Sequence, residues 1–369
     1  MNNSFELKGI SSADDSQIML SILSNEGLEG ELNVKNAGTC LRFLTAVCAI
    51  GNHEVVLTGT DDMKKRPIKE LVIPLRELGA DITYLEKEGF PPLKIKGKQL
   101  SGGKVSVKAN ISSQYISALL LIAPFLENGL EITQAGEIKS KSYSQMTISL
   151  LKQLGIEVIQ EYDKIKVAPL YGVHTQTIEV EKDWSSVSYW YELIALSDIN
   201  SKLQLNGVKL ISIQGDSEIV SLFQKLGVLS LEGDTGIEIV KIKEPNLVQF
   251  EYDFSSIPDM VLTFVATCVG LGINGKFTGI SHLVYKETNR IEALKTEIAK
   301  LNYSLEMIDA DSFKIKKLGE LPQSVSIATY HDHRMAMAFA PMVAVIDEVE
   351  IENPEVVVKS YPGFWEEFG

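Results

Sequence analysis

The sequence predicts an α/β protein of two domains, assembled from repeated modules in which two helices accompany paired strands. Three observations predict this. A helix stop recurs at near-constant spacing, two strand-like runs follow each stop, and a long apolar helix separates one stop from the next.

The stops are Gly79, Gly155, Gly227 and Asn302, which lie 76, 72 and 75 residues apart. Gly and Asn tolerate the left-handed backbone that ends a helix, so each closes an amphipathic run: 71–79, 148–155, 219–227 and 293–302. The strand pairs that follow are 80–85 with 93–96, 156–160 with 164–168, 228–231 with 236–240, and 303–308 with 312–315. Apolar helices are expected at 40–50, 113–126, 186–196, 259–271 and 333–346. They are apolar on more than one face, which suits inner helices covered by sheets. A repeat of about 75 residues exceeds the ~20–50 of solenoids, so larger modules are the natural reading. The polar stretch 175–183 divides the modules two and two, and a domain boundary is placed near Glu181, giving 1–180 and 181–369.

Composition narrows the function. The chain has 369 residues, is 45% apolar and carries a net charge of -14. That length suits two domains at about 100–200 residues each. An acidic chain without a long Lys/Arg run lacks the basic face that phosphate-backbone binding needs, which argues against nucleic acid. The longest apolar runs, 116–126 and 336–346, fall short of the ~20 residues of a membrane span, and no signal pattern opens the chain. Cys40, Cys48 and Cys268 lie in apolar helical stretches without metal-ligand spacing and read as buried, reduced thiols, which fits the cytoplasm.

Against that acidic background, two segments concentrate cations: Tyr285-Lys286-Glu287-Thr288-Asn289-Arg290 and Tyr330-His331-Asp332-His333-Arg334. Such crowding is unfavourable unless an anion binds there. Arg334 precedes an apolar helix, where a cation opposes the helix dipole unless a negative charge compensates it. Lys286 and Arg290 are four apart and are expected on one helical face, with Glu287 projecting elsewhere. Asp259 follows Ile257-Pro258 and is expected at a helix start, where it either caps the helix or serves chemistry.

Other segments are open to two readings. Asn36-Ala37-Gly38-Thr39 leads into a helix and either forms an anion-binding N-terminus, with Arg42 facing back, or is a turn capped by Thr39. Met63-Lys64-Lys65-Arg66-Pro67 is a basic cluster or a solvated loop. Ser112-Ser113-Gln114-Tyr115, Ser140-Lys141-Ser142-Tyr143 and Asp183-Trp184-Ser185-Ser186 either cap helices or grip hydroxyls and phosphate oxygens.

Taken in order, and with Ile257-Pro258-Asp259 and Lys359-Ser360-Tyr361-Pro362 added, these segments resemble the enolpyruvyl transferases, in the EPSP synthase branch, from about Ser12 to Phe364. The resemblance implies six βαβαββ-type units in two inverted three-unit domains, the first unit here incomplete, and a monomer. It implies transfer of the enolpyruvyl group of phosphoenolpyruvate to the 5-hydroxyl of shikimate 3-phosphate, with release of phosphate, in the synthesis of chorismate and the aromatic amino acids. Phosphoenolpyruvate would be held by Gly38, Arg66, Gln114, Arg290, Arg334 and Lys359. Shikimate 3-phosphate would be held by Ser112, Ser113, Gln114, Ser140, Asp259 and Lys286. Asp259 is the candidate base on the hydroxyl and Glu287 the candidate proton donor to the methylene, with Lys359 or His333 assisting. No metal or organic cofactor is required.

One departure stands out. The family opens with a Lys-Ser motif and a nearby Asn-Arg pair, and Met1 aligns after both. Two further readings therefore stand beside the transferase: a weak or inactive protein that binds shikimate 3-phosphate, and a UDP-N-acetylglucosamine carboxyvinyltransferase, whose cysteine loop has no counterpart here.

Overall fold

A computed structural model describes residues 6–24, 28–108, 113–136, 141–170 and 177–369. The chain divides into two compact units, Met1–Glu179 and Val180–Gly369.

The N-terminal unit opens with strand β1 (Glu6–Lys8) and helix α1 (Asp14–Ser24), then repeats one pattern twice. The first copy is β2 (Gly30–Asn33), α2 (Gly38–Ile50), β3 (Glu54–Thr58), α3 (Lys69–Glu77), β4 (Asp81–Tyr84) and β5 (Leu93–Lys96). The second is β6 (Gly103–Lys108), α4 (Ser113–Ile122), β7 (Leu130–Ala135), α5 (Lys141–Gln153), β8 (Val158–Gln160) and β9 (Lys164–Val167). Their sheets have equivalent orders, β2-β3-β5-β4 and β6-β7-β9-β8. The first two strands of each run parallel and the last two antiparallel. Parallel neighbours need a crossover, which α2 and α4 supply. Strand β10 (Thr177–Glu179) pairs parallel with β1, so among the described residues 177–183 of the polar stretch a short strand forms.

The C-terminal unit continues with α6 (Trp184–Leu196), β11 (Lys202–Asn206), α7 (Ile219–Lys225), β12 (Val228–Gly233) and β13 (Gly236–Lys241), whose sheet is antiparallel in the order β11-β13-β12. The full pattern returns in β14 (Gln249–Asp253), α8 (Val261–Gly270), β15 (Asn274–Thr278), α9 (Arg290–Lys300), β16 (Tyr303–Asp309) and β17 (Ser312–Lys317), with order β14-β15-β17-β16. Last come β18 (Ser324–Ile327), α10 (His333–Phe339), β19 (Glu348–Ile351) and α11 (Phe364–Phe368), where β18 and β19 form a parallel pair.

The four helix stops are left-handed as the sequence requires, with φ of 97° at Gly79, 78° at Gly155, 91° at Gly227 and 58° at Asn302. The inner helices are the apolar ones. Every residue of α8 from Val261 to Val269 is buried, and α2 packs on α4 as α6 and α10 pack on α8. All three cysteines are buried.

Three expected helices are shorter than their apolar runs. Pro124, Pro258 and Pro341 lack an N–H to donate, and each sits in a short 3-10 turn that abuts the α-helix: Ala123–Phe125, Pro258–Met260 and Ala340–Ala344. Asp259 therefore belongs to a 3-10 turn ahead of α8, and its side chain does not cap the helix.

Candidate active site

In the N-terminal unit the cationic side chains converge on the start of α2. Its cap is Ala37, and Thr39 does not fill that role. Gln114, from the first turn of α4, accepts from Arg42 Nη1 at 2.7 Å and donates to Thr39 Oγ1 at 3.0 Å. Arg42 is buried and lies over the Tyr115 ring at 5.6 Å. The Tyr115 hydroxyl in turn donates to Pro67 O at 2.7 Å, which fixes the end of the 63–67 loop. Within that loop the cations separate: Lys64 pairs with Glu86 and Lys65 with Asp62 at the surface, while Arg66 turns toward Gly38. A Cβ built on Gly38 would stand 2.8 Å from Arg42 Nη1 and 3.0 Å from Arg66 Nη1. A methyl group there would push the two guanidinium groups away from the backbone, so glycine lets both lie against the start of α2.

In the C-terminal unit four cations interleave with carboxylates. Asp259 accepts from Lys286 Nζ at 2.9 Å and Arg290 Nη1 at 3.3 Å through Oδ1, and from Arg334 Nη2 at 3.2 Å through Oδ2. Glu287 accepts from Arg290 Nη2 at 3.1 Å and Lys359 Nζ at 2.7 Å. Asp332 takes Arg290 in a fork, Nε at 2.7 Å and Nη2 at 3.1 Å, and also caps α10 through the Arg334 N–H at 3.0 Å. Arg334 reaches Ser185 Oγ at 3.2 Å, and Ser185 donates to buried Asp216 at 2.5 Å. The anion that the dipole argument demanded beside Arg334 is supplied by Asp332 and Asp259.

These charges set the protonation states. Burial alone would raise the pKa of Asp259, but Arg334, Lys286 and Arg290 outweigh it and hold the carboxyl well below its ordinary value. Burial and the charge of Asp259 push Asp216 up to about 6. Burial drives His333 down to about 3, against the pull of Asp332, so its imidazole is neutral. Its Nδ1 lies 3.7 Å from Asp332 Oδ1 without a hydrogen bond.

The arrangement is a set of fixed cations, largely withdrawn from water, facing ionised carboxylates. It can receive an anionic ligand by exchanging internal ion pairs for external ones, and it can move a proton. The EPSP synthase (3-phosphoshikimate 1-carboxyvinyltransferase) family profile matches residues 9–368.

The chain belongs to the EPSP synthase family.

Its relatives in that family include the 3-phosphoshikimate 1-carboxyvinyltransferase of Bacteroides fragilis strain YCH46, 43% identical over 362 residues, 97% of this chain and 87% of that protein. The protein of the same name from Haemophilus influenzae Rd is 36% identical over 93% of this chain and 81% of its own length. In fold the chain matches the EPSP synthase of Acinetobacter baumannii with a TM-score of 0.76 at 22% identity, covering 99% of this chain and 89% of that one. The enolpyruvyl transferase NikO of Streptomyces tendae gives 0.63 at 12% identity, covering 82% and 70%. These two likenesses show the enolpyruvyl transferase fold.

Within this EPSP synthase family member, Gly38, Arg66 and Gln114 stand together in the N-terminal unit, where Ser113 is buried in the first turn of α4. Ser112 and Ser140 lie outside the described residues. Asp259, Lys286, Glu287, Arg290, Arg334 and Lys359 form one connected cluster in the C-terminal unit. Two local expectations are corrected. Lys286 and Glu287 precede α9, which starts at Arg290 with Asn289 as its cap, so Lys286 and Arg290 are not on one helical face. Glu287 does not project elsewhere; it bridges Arg290 and Lys359.

Asp332, Ser185 and Asp216 are partners that sequence reasoning did not assign, and Arg42 had no ligand assigned to it. Asp332 lay within a noted segment, and its signal was the carboxylate one position before the helix that carries Arg334. Asp216 has no local signal, since a turn Asp reads alike wherever it points.

Proposed function

We propose that the chain transfers the enolpyruvyl group of phosphoenolpyruvate to the 5-hydroxyl of shikimate 3-phosphate and releases phosphate. The observation that carries this is the C-terminal cluster, in which Lys286, Arg290, Arg334 and Lys359 are held by Asp259, Glu287 and Asp332. In the N-terminal unit Gly38, Arg66 and Gln114 are assigned to phosphoenolpyruvate, and Ser113 with Gln114 to shikimate 3-phosphate. In the C-terminal unit Arg290, Arg334 and Lys359 are assigned to phosphoenolpyruvate, and Lys286 with Asp259 to shikimate 3-phosphate. Planar guanidinium groups suit a carboxylate and a phosphate through paired contacts.

The chemistry follows as addition and elimination. The 5-hydroxyl oxygen bonds to the enol carbon while its proton passes to Asp259, which the surrounding cations keep ionised; ligand anions that take over Arg334, Lys286 and Arg290 raise its affinity for the proton. The methylene carbon gains a proton from Glu287. An anion that takes over Arg290 and Lys359 leaves Glu287 less compensated, which favours its protonated form. In the second step the new methyl group returns a proton to Glu287, the double bond re-forms, and phosphate leaves with the carbon–oxygen bonding pair and takes up the proton held by Asp259, which restores both carboxylates. Arg290, Arg334 and Lys359 stabilise the charge in both steps. His333, neutral and buried, does not supply a cation or a ready proton. The reaction needs no electron acceptor, and the same reading has the protein act in the cytoplasm, which its three buried thiols suit, and as a monomer.

The test is phosphate release from the two substrates by this chain. Asp259→Ala and Glu287→Gln are expected to lower turnover by about 10²–10⁴-fold while binding of phosphoenolpyruvate persists. Loss of binding in step with turnover would overturn the proton-transfer roles. Binding of shikimate 3-phosphate with no phosphate release by the unaltered chain would overturn the activity.

A further inference from the structure

Helix α9 holds the connection between β18 and α10 at two points. Arg290, its first residue, takes the Asp332 carboxylate through two N–H groups. Glu297 lies seven residues later on the same face and has no exposed surface. It accepts the Ala328 N–H at 3.1 Å, the Tyr330 hydroxyl at 2.6 Å and the Lys300 ammonium at 2.7 Å. Seven residues span about 10 Å of helix, so α9 grips the 328–332 segment at both ends.

Between those grips the backbone makes a tight turn. The Asp332 N–H donates to Thr329 O at 2.8 Å, and the central residues Tyr330 and His331 have φ of 54° and 58°. Two positive φ values in succession are the type I′ pattern, which Gly, Asn and Asp dominate because a larger side chain crowds the following carbonyl. Tyr330 offers no such preference, and His331 tolerates positive φ less readily than Gly. A conformation that the local sequence disfavours persists only where surrounding contacts over-determine it. The turn delivers Asp332, which orients Arg290 and caps α10, and Arg334 two residues on.

We infer that Glu297 is a positioning residue for the anion-binding cluster: together with Arg290 it clamps an unfavourable left-handed turn so that Asp332 and Arg334 meet the ligand. The inference rests on the reading of that cluster as a phosphoenolpyruvate site. Glu297 touches no reacting atom in this account. A purely structural role would reduce the fraction of active protein and so lower kcat at constant KM. Misplaced cations instead raise KM.

Two variants test the clamp. Tyr330→Phe deletes one contact from a side chain whose ring lies at the surface, and Glu297→Gln keeps the volume while removing the charge. Each is expected to raise KM for phosphoenolpyruvate about ten-fold with kcat changed less than about two-fold, and to speed hydrogen exchange at 329–334. His331→Gly added to Tyr330→Phe should recover most of the lost KM, because glycine adopts positive φ freely. Unchanged KM in both variants, or a raised KM that glycine fails to recover, overturns the clamp. If the unaltered chain turns over no phosphoenolpyruvate, the substrate reading has failed and hydrogen exchange alone decides: unaltered exchange at 329–334 in Tyr330→Phe overturns the clamp.

Discussion

Glu192 is the residue whose replacement gives the most quantitative test of the C-terminal unit. It sits on α6 with no exposed surface, and neither carboxylate oxygen has a hydrogen-bond partner. Burial pushes its pKa well above the ordinary 4.5, so the folded protein carries it as a neutral acid. The unfolded chain ionises the same group above about 4.5. Because the folded pKa is the higher one, the linked stability is fully present below 4.5 and is lost as pH rises toward the folded pKa. The slope is about 1.4 kcal/mol per pH unit over the range between the unfolded and the folded pKa. Against a total of about 5–15 kcal/mol for a typical fold, this is a large share. Glu192→Gln has nearly the same shape and no proton to lose. Urea denaturation at a series of pH values is therefore expected to show the variant gaining on the wild type by about 1.4 kcal/mol per unit. Parallel stability curves for the two proteins would refute the assignment of Glu192 as a buried neutral acid.

Two further outcomes follow from the site itself. Asp332→Ala leaves the Arg290 guanidinium buried without its fork partner and removes the cap of α10, so unfolding free energy should fall by about 4–6 kcal/mol in urea titration; a loss under about 1 kcal/mol would show that Arg290 is held by its other partners. Gly38→Ala places a methyl group 2.8 Å from Arg42 Nη1 and 3.0 Å from Arg66 Nη1. It should raise KM for phosphoenolpyruvate while leaving thermal stability nearly unchanged, and steady-state kinetics beside a melting curve would check both parts.

The repeat was legible in the sequence because it is written in local chemistry. A helix stop needs a residue that tolerates positive φ, so Gly79, Gly155, Gly227 and Asn302 mark it without tertiary help. The strand pairs after each stop follow from alternation, and the ordered motifs identified the family. Helix lengths were less legible, since an apolar run continues through Pro124 and Pro341, and begins directly after Pro258, while the α-helical hydrogen-bond ladder does not.

Site partners lie at the other extreme. The sequence determined by itself that Lys286, Glu287, Arg290 and Arg334 are crowded cations and acids needing compensation, because charge and spacing are properties of the chain. Only the tertiary structure decided who compensates whom: Asp259 with three cations, Glu287 between Arg290 and Lys359, Asp216 behind Ser185, and Glu297 beneath Tyr330. Those pairings join residues as many as 75 positions apart, and among the described residues their geometry depends on where inner helices and turns bring side chains together. Local propensity cannot encode that meeting, and for Tyr330 and His331 it disfavours the backbone that the packed fold imposes.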